Sequence, residues 1–340
     1  MRFIFWALWG VVQIVLLSIA LRVSRWRLIV FLQSITPLLG IFSIVVGVGA
    51  AITGDWLLAI LGGVQVFWVA MLALGLQRWH QDRHLPRLPV PQTQLRVAHS
   101  NLLHSNVTPA QAMADVFATD ADVIAFSEIT AHLHMHAEQH LLALNWPHRI
   151  HDLRDGPRGI ALWSKFPLTE SSIEKMHDCN AAVATVRISR DIQFRVLAIH
   201  PMAPVSRQKT RDWEPSLRSI GDALSGSNVP AIAIGDYNAT HWHPPMRELY
   251  RRGLHSAHLR LGRIFSSTFP VGRRLRPFLN LDHALVTESV MVHEITHVRV
   301  SGSDHRGIVI DVSAYTARTS SPHTSLQSHT DSSEVTTDIP

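Results

Sequence analysis

Three long apolar segments occupy the first part of the chain, over residues 3–21, 28–52 and 56–76. Each is long enough to cross a bilayer, because a helix needs about 20 apolar residues to span the hydrocarbon core. Pro37 lies inside the second segment, and transmembrane helices tolerate proline. The pattern predicts a three-helix membrane anchor over residues 1–80. Tryptophans lie at or near the segment ends, as interfacial anchors do: Trp6, Trp9, Trp26, Trp56 and Trp79.

The pattern of polar and apolar residues changes after the anchor. Residues 81–94 are polar and contain three prolines, which predicts a short extended tether. From residue 95 to residue 313, short apolar strands alternate with helical periodicity, as in an α/β domain. Residues 314–340 consist mostly of Ser, Thr, His, Asp and Pro. Because they lack the apolar residues needed for a core, we expect a disordered tail.

Strands and helices are mixed within the predicted α/β domain. We expect strands over 95–100, 123–129, 159–164, 184–189, 194–200, 231–236, 281–287, 290–300 and 308–312. We expect helices over 109–119, 131–144 and 244–252, and one more between the strands that end near residues 200 and 236. This order favours two sheets that pack face to face and are covered by helices.

The composition agrees with a chain that lies partly in lipid. Of 340 residues, 46% are hydrophobic and only 17% are charged, which is apolar for a soluble domain. The net charge is +5, and nearly all basic residues are arginine, whose fork geometry suits phosphate and anionic lipid. A genomic bias towards arginine codons explains this equally well. The 22 histidines are too scattered to indicate one metal site, and a single cysteine excludes an internal disulfide.

Flanking charges orient the anchor only weakly. Three arginines lie between the first two apolar segments and three follow the third, whereas residues 53–55 carry no positive charge. The positive-inside rule then places the α/β domain in the cytoplasm. Arg2 and the N-terminal amine oppose this assignment.

The strand predicted over 231–236 ends abruptly in the sequence Gly235-Asp236-Tyr237-Asn238. The two-residue period of a strand points Asp236 and Asn238 to the same side. A carboxylate and a carboxamide at the end of a central strand suit the handling of a water or of a metal-bound phosphate. For this motif alone, an ordinary polar turn is an equal interpretation.

Other predicted strands also begin or end at residues capable of chemistry. Each has an ordinary structural explanation when taken alone, such as a turn, an exposed strand end or a satisfied core histidine. Their joint order along the chain is far more specific. The residues are Asn101, Glu128, His200, Asp282, Asp304 and His305.

In this order the motifs resemble those of the endonuclease/exonuclease/phosphatase superfamily, which includes DNase I-like nucleases, inositol polyphosphate 5-phosphatases and neutral sphingomyelinases. The resemblance covers residues 95–313, with further matches at 122–124, 159–167 and 267–270. Three apolar segments ahead of this domain are similar to a bacterial membrane-anchored branch. The resemblance implies a four-layer α/β sandwich of DNase I-like type and metal-dependent hydrolysis of phosphate esters.

The resemblance assigns a metal site to three of these residues. Glu128 would bind a hard divalent cation through oxygen, with Asn101 beside it and Asp304 as an additional carboxylate on the metal side. Mg²⁺ is the expected ion, with Mn²⁺ as the alternative. Magnesium keeps several waters and needs few protein ligands, so one dominant carboxylate is sufficient.

The resemblance also assigns roles in phosphoryl transfer. Asp236 would orient or deprotonate the attacking water, and Asn238 would hold the phosphate or that carboxylate in place. His305 would contact a phosphoryl oxygen in the transition state, with its tautomer fixed by Asp282. His200 would be a second phosphate contact or would stabilise the leaving group.

The predicted substrate follows from the anchor. A catalytic domain on a short tether works close to the bilayer, which favours a lipid-linked phosphate, pyrophosphate or phosphodiester. Arg211 is a candidate contact to a polyanionic substrate, and a solvated helix face is an equal interpretation of it. The anchored branch suggests a catalytic domain outside the cytoplasm, against the weak charge bias. The sequence indicates no protein partner.

Two alternatives remain open. A membrane-tethered nuclease would also fit, although the chain lacks a strong basic and aromatic run that grips single strands. A catalytically silent membrane protein that binds a phosphorylated ligand is the alternative of a different class. The complete set of motif residues counts against it.

Overall fold

We describe the protein from a computed structural model, over residues 2–81, 94–141, 146–272 and 276–314. Most of the predicted tether, residues 82–93, and nearly all of the predicted tail, residues 315–340, lie outside the described residues.

The apolar N-terminal region forms four helices: α1 (Arg2–Ala20), α2 (Arg27–Ser34), α3 (Thr36–Ile52) and α4 (Trp56–His80). By length and composition, α1 and α4 could each cross a membrane, and α2 with α3 could form a third span only as one bent pair. The bend between α2 and α3 is 79°. The continuous helix that we predicted over 28–52 is therefore two helices. Pro37 lies in the first turn of α3, where the missing N–H of proline costs no helical hydrogen bond.

Small and polar side chains hold α3 and α4 together. A Cβ on Gly62 would lie 3.1 Å from the Cα of Gly47, so the two backbones approach closely there. Buried Gln65 on α4 accepts a hydrogen bond from the Ser43 hydroxyl at 3.0 Å and donates to the Trp9 carbonyl at 3.0 Å. These bonds connect α1, α3 and α4.

The rest of the described chain contains twelve strands and five helices. The strands are β1 (Leu95–Asn101), β2 (Val123–Ser127), β3 (His148–Asp152), β4 (Ile160–Ser164), β5 (Leu168–Met176), β6 (Cys179–Arg187), β7 (Gln193–Ile199), β8 (Ala231–Asp236), β9 (His255–Ser256), β10 (Asp282–Val286), β11 (Val290–Arg299) and β12 (Arg306–Ala314). The helices are α5 (Pro109–Phe117), α6 (Ala131–Leu141), α7 (Arg207–Ser225), α8 (Pro244–Arg251) and α9 (Ala257–Arg260).

The strands form two six-stranded sheets, which confirms the predicted α/β sandwich. One sheet has the order β11-β12-β1-β2-β4-β3 and the other β5-β6-β7-β8-β10-β9. Apolar residues of both inner faces share one core, including Val97, Val123, Val196 and Ile232. Helices α5 and α6 cover the outer face of the first sheet, and α7 and α8 cover the second. The sequence did not predict β3, β5 or the two-residue strand β9.

The α/β domain packs directly against the four N-terminal helices. Val30 of α2 and Leu76 of α4 belong to the same buried cluster as the core beneath α7 and α8. Polar contacts cross the junction as well: the Gln77 amide donates to the Leu259 carbonyl at 2.6 Å, and His243 Nε2 donates to the Val30 carbonyl at 2.9 Å. The described helices therefore hold the domain through a packed interface in addition to the connecting chain.

Candidate active site

The candidate site lies where strands of both sheets end side by side. Asn101 at the end of β1 pairs in register with Ser127 at the end of β2, so Glu128 follows immediately beside it. In the other sheet, Asp236 at the end of β8 is in register with Asp282 at the start of β10. Sheet topology therefore brings together polar residues that lie far apart in sequence.

Asp236 is the centre of this cluster and is 1% exposed. Its Oδ1 accepts the backbone N–H of Asn238 at 2.8 Å, and its Oδ2 accepts the Asn101 amide at 3.1 Å. Oδ2 also lies 3.5 Å from His200 Nε2 and 3.6 Å from His305 Nε2. Burial would raise the pKa of Asp236, but the neighbouring His305 and His200 lower it well below its usual range. Asp236 is therefore ionised and can accept a hydrogen bond from a water.

Glu128 forms the adjoining part of the site. Its backbone is left-handed, with φ of 60°, which is costly for a residue other than glycine and is typical of functional sites. Oε1 accepts the Asn101 amide at 3.1 Å, and Oε2 accepts the backbone N–H of His104 at 3.1 Å. His200 Nε2 lies 4.0 Å from Oε1. Burial raises the pKa of Glu128, but His200 and His104 outweigh it and keep the carboxyl ionised.

These residues fit a hard divalent cation. Glu128 is an ionised carboxylate at the mouth of the site, and its side chain is 12% exposed, so its oxygens can also meet solvent. The Asn101 side chain donates from Nδ2 to Glu128 and Asp236, and its Oδ1 accepts the backbone N–H of Leu103. To bind the cation, Asn101 would have to rotate its amide so that Oδ1 faces the site. Asp304 is adjacent in sequence to His305 and is one of the carboxylates that raise the pKa of His305.

Asp282 and His305 form a buried pair. His305 Nδ1 lies 2.8 Å from Asp282 Oδ2. Burial lowers the pKa of His305, but the Asp282 and Asp236 carboxylates outweigh it and raise that pKa to about 10. His305 is therefore an imidazolium at neutral pH and turns its Nε2 towards Asp236. One possible metal-ligand atom from each of Asp236, Asp282 and His305 lies within 4.8 Å of the other two. Because Asp282 is fully buried and already paired with His305, we assign these three residues to a hydrogen-bond network and not to a metal site.

The structure brings together most of the residues that the sequence singled out: Asn101, Glu128, His200, Asp236, Asn238, Asp282 and His305. The side chain of Asn238 donates to the Pro201 carbonyl at 3.0 Å, so it fastens the loop after β7 to the loop after β8. Arg211 lies elsewhere. It lines a cavity of about 860 Å³ between α7 and the connection after α1, together with Arg25 and Arg27.

The sequence analysis assigned no role to His99, which lies beneath the site. His99 Nδ1 lies 3.4 Å from Asp282 Oδ1, and His99 Nε2 lies 3.0 Å from the Ser127 hydroxyl. Burial lowers the pKa of His99 to about 3, so this ring is neutral. His99 precedes Asn101 by two residues on β1, and that spacing on one strand face was the available signal.

A basic cavity beside His200 was also missed. It has a volume of about 340 Å³ and is lined by Arg154, Arg158 and Lys175 as well as His200. Arg158 pairs with Asp178 across the cavity at 3.3 Å. Arg154 pairs with Asp152 at 2.9 Å, so two of the three cations already have a carboxylate partner. Lys175 leaves the lining with a net positive charge, which suits an anionic substrate.

Comparisons with known proteins agree with this geometry. A profile of the Endonuclease/Exonuclease/phosphatase family matches residues 98–305. An endonuclease/exonuclease/phosphatase from Beutenbergia cavernae DSM 12333 is 17% identical, covering 65% of this chain and 71% of its own, with a TM-score of 0.52. A humanized D. rerio TDP2 is 15% identical, covering 65% and 99%, with a TM-score of 0.55. The 3′ phosphatase NExo from Neisseria, bound to a product DNA hairpin, is 13% identical, covering 64% and 99%, with a TM-score of 0.52.

No curated protein matches the chain in the sequence comparison. The solved structures are too distant in sequence to show more than the fold. The family profile covers more than half of the chain and spans every residue of the cluster from Asn101 to His305. The chain therefore belongs to the endonuclease/exonuclease/phosphatase family, whose members are metal-dependent hydrolases of phosphoesters.

Proposed function

We propose that this protein is a membrane-anchored hydrolase of a lipid-linked phosphate or pyrophosphate. One observation carries the proposal. An apolar groove of about 540 Å³ lies between helices α3 and α4 and the loops that follow β8 and precede β10. The groove extends from Ile41 and Ile44 on the anchor to Thr240 and Asn280 on the α/β domain.

The groove ends close to the catalytic cluster. Thr240 is two residues beyond Asn238, and Asn280 is two residues before Asp282. Phe265 and Phe278, which are 70% and 43% exposed, extend the apolar lining on the α/β side. A lipid chain in the groove would enter from the bilayer and leave its phosphate at the cluster. A nucleic acid offers nothing to fill such a groove.

The residues of the cluster support in-line attack of water on phosphorus. Asp236 orients the attacking water, and the His305 imidazolium donates its Nε2–H to a phosphoryl oxygen. A divalent cation held by Glu128, with Asn101 and Asp304 beside it, would neutralise charge on the phosphoryl group. Mg²⁺ suits these oxygen ligands, and Mn²⁺ would serve as a substitute. His200 lies between the cluster and the basic cavity, where it can meet the leaving oxygen.

A membrane-tethered nuclease is the second candidate. The basic cavity beside His200 favours it, because Arg154, Arg158 and Lys175 would also suit a nucleic-acid backbone. The cavity equally suits the second phosphate of a pyrophosphate, and only the lipid-linked substrate uses both the cavity and the apolar groove.

A substrate panel tests the proposal. Full-length protein in detergent is assayed with a polyprenyl pyrophosphate, a phospholipid, an inositol phosphate and plasmid DNA, each with Mg²⁺ or with EDTA. We expect hydrolysis of a lipid substrate that EDTA abolishes.

Ala70→Phe narrows the groove and should raise KM for the lipid about tenfold, by analogy with the cost of overpacking. The control Val64→Phe, on an exposed part of the same helix, should not. Hydrolysis of plasmid DNA without hydrolysis of any lipid would contradict the proposal.

We further propose that the catalytic domain faces the outside of the cytoplasmic membrane, as suits lipid phosphates of the cell envelope. Arg190→Cys places a thiol in an exposed turn of the domain, whereas Cys179 is buried and should stay unlabelled. Labelling of the introduced cysteine in intact cells by an impermeant maleimide is the expected result. Labelling only after lysis would place the domain in the cytoplasm.

A further inference from the structure

A second cluster of histidines lies at the junction between the anchor and the α/β domain, behind the catalytic residues. One ring nitrogen from each of three buried histidines, His241, His258 and His283, lies within 4.8 Å of the others. Their ring centroids are 4.7 Å apart for His241 and His283 and 5.9 Å apart for His258 and His283. These residues come from three elements: the loop after β8, helix α9 and strand β10.

Hydrogen bonds to neighbouring groups fix the tautomers of His283 and His241. His283 Nε2 donates to the Ala239 carbonyl at 2.8 Å, because a carbonyl only accepts. His241 Nε2 accepts from the Asn280 amide at 3.2 Å, so its Nδ1–H is left to donate to the Tyr250 hydroxyl at 2.7 Å. His283 is held as metal-ligating histidines are, with one nitrogen bonded outward and the other left for an ion. His241 has a partner at both nitrogens, so its Nε2 would bind an ion only after the Asn280 amide turned away.

Two of the three histidines have a ring nitrogen that lacks a hydrogen-bond partner. His258 and His283 are both 0% exposed. Neither His258 Nδ1 nor His283 Nδ1 makes a hydrogen bond. His258 uses its other nitrogen, Nε2, in a 3.1 Å contact with His297 Nε2. Leaving a buried polar atom unbonded costs about 1–3 kcal/mol. Two such atoms in one place indicate a ligand that satisfies both.

The rings are also in the protonation state that binds metals. Burial lowers the pKa of His241 and of His258 well below the usual range, and it lowers that of His283 to about 4. All three imidazoles are therefore neutral and present lone pairs. Asn280 adds an oxygen nearby, because its Oδ1 is buried and has no hydrogen-bond partner.

We propose that His241, His258 and His283 bind one Zn²⁺ ion, with the Asn280 side chain or a water as the fourth ligand. Three neutral imidazoles without a carboxylate suit zinc and exclude magnesium, which prefers oxygen. Zn–N bonds of about 2.0–2.1 Å would draw the three nitrogens closer together than they lie here. This site is separate from the catalytic metal site, whose ligands are oxygens.

The ion would bind to the α/β domain on the face that packs against the anchor. His80, at the end of α4, accepts the backbone N–H of Ser256 at 3.3 Å, directly before the helix that carries His258. His241 and Asn280 also line the apolar groove, which gives the ion a path from solvent. Zinc would therefore stabilise the junction and take no part in the chemical step.

Metal analysis of the full-length protein tests this proposal. The protein is purified in detergent without a histidine tag and dialysed against excess Mg²⁺, and its zinc is measured by mass spectrometry. We expect about one zinc per chain, as in a structural site. Co²⁺ exchanged for the zinc should show the intense visible absorption of tetrahedral coordination, whereas cobalt in an oxygen site absorbs weakly. Adding zinc to the stripped protein should raise its Tm.

Two variants locate the ion. His258→Gln should abolish zinc binding. The matched control is His136→Gln, which breaks a surface histidine pair on α6 whose rings are 4.9 Å apart and could bind zinc adventitiously. Wild-type protein that holds no zinc and shows no tetrahedral cobalt spectrum would overturn the proposal, whether or not the variant folds. Zinc that is lost in the control and kept in His258→Gln would also overturn it.

Discussion

Asp236→Asn is expected to lower kcat by about 10³-fold while the protein remains folded. Asparagine has the same shape, and its carbonyl oxygen can still accept the N–H of Asn238. The change removes the negative charge that pairs with His200 and His305 and that we propose orients the attacking water. Measuring kcat and Tm on the same preparation separates lost chemistry from lost structure.

The same variant should shift the pH profile. In the proposed mechanism His305 acts as the imidazolium, so we expect activity to fall as the pH rises through its pKa, which lies at about 10 in the folded protein. Burial lowers that pKa, whereas Asp282 and then Asp236 raise it. Without the charge of Asp236 the pKa of His305 falls, and the residual activity should be lost at lower pH than in the wild type.

Two comparisons make this prediction specific. Asp212→Asn removes a surface carboxylate that lies 3.4 Å from His177, and it should leave kcat unchanged. Glu128→Gln should weaken Mg²⁺ binding, whereas Asp236→Asn should change it only a few-fold. An Asp236→Asn variant with wild-type kcat would exclude the role proposed for this residue. Loss of Mg²⁺ affinity equal to that of Glu128→Gln would instead make Asp236 a metal ligand.

The sequence predicted best those elements in which one local pattern decides the structure. Strand β8 is apolar and fully buried, so its short run and abrupt polar end located Asp236 correctly at the strand end. The end of β1 was predicted one residue early, and the end of β2 two residues late, at 129 instead of Ser127. The break at Ile35 was missed although Gln33, Ser34, Thr36 and Pro37 surround it, because transmembrane helices tolerate proline and the segment was taken as one span.

Features that depend on contacts between distant segments were not predictable. Strand β5 lies at a sheet edge and carries exposed polar residues such as Glu170 and Ser171, so it lacked the alternation expected of a strand. The scattered histidines showed no metal spacing, yet the fold brings His258 to within 3.1 Å of His297. The basic cavity forms only when the turn before β4 meets the hairpin of β5 and β6.

The second large effect is expected at Gly159, which immediately precedes β4. A Cβ built there would overlap the carbonyl oxygen of Ile129, so Gly159→Ala forces the backbone of one of the two segments to move. Ile129 follows Glu128, whose left-handed backbone aims its carboxylate at the site. We expect Gly159→Ala to cost about 3 kcal/mol in the free energy of unfolding, at the upper end for overpacking. Its loss of Mg²⁺ affinity and of kcat should approach that of Glu128→Gln.

Gly156 provides a control that distinguishes the effect of steric crowding from that of backbone strain. Gly156 has φ of 75° and open space where its Cβ would be, so Gly156→Ala should cost only the left-handed penalty of about 1–2 kcal/mol. Because that strain stays within the turn, Mg²⁺ affinity and kcat should remain those of the wild type. Chemical unfolding in detergent, with Mg²⁺ titration of each variant, measures both effects.

The other sheet has the same close approach of a carbonyl to a glycine, which strengthens the expectation that Gly159→Ala disturbs the site. A Cβ on Gly235 would overlap the Ile199 carbonyl oxygen, directly beside Asp236 and His200. Each sheet thus places a glycine where a neighbouring carbonyl passes close to a catalytic carboxylate. If Gly159→Ala kept full Mg²⁺ affinity and stability, the Ile129 carbonyl could move without displacing Glu128. The close approach at Gly159 would then be a matter of packing alone, and the position of Glu128 would depend on its hydrogen bonds to Asn101 and His104.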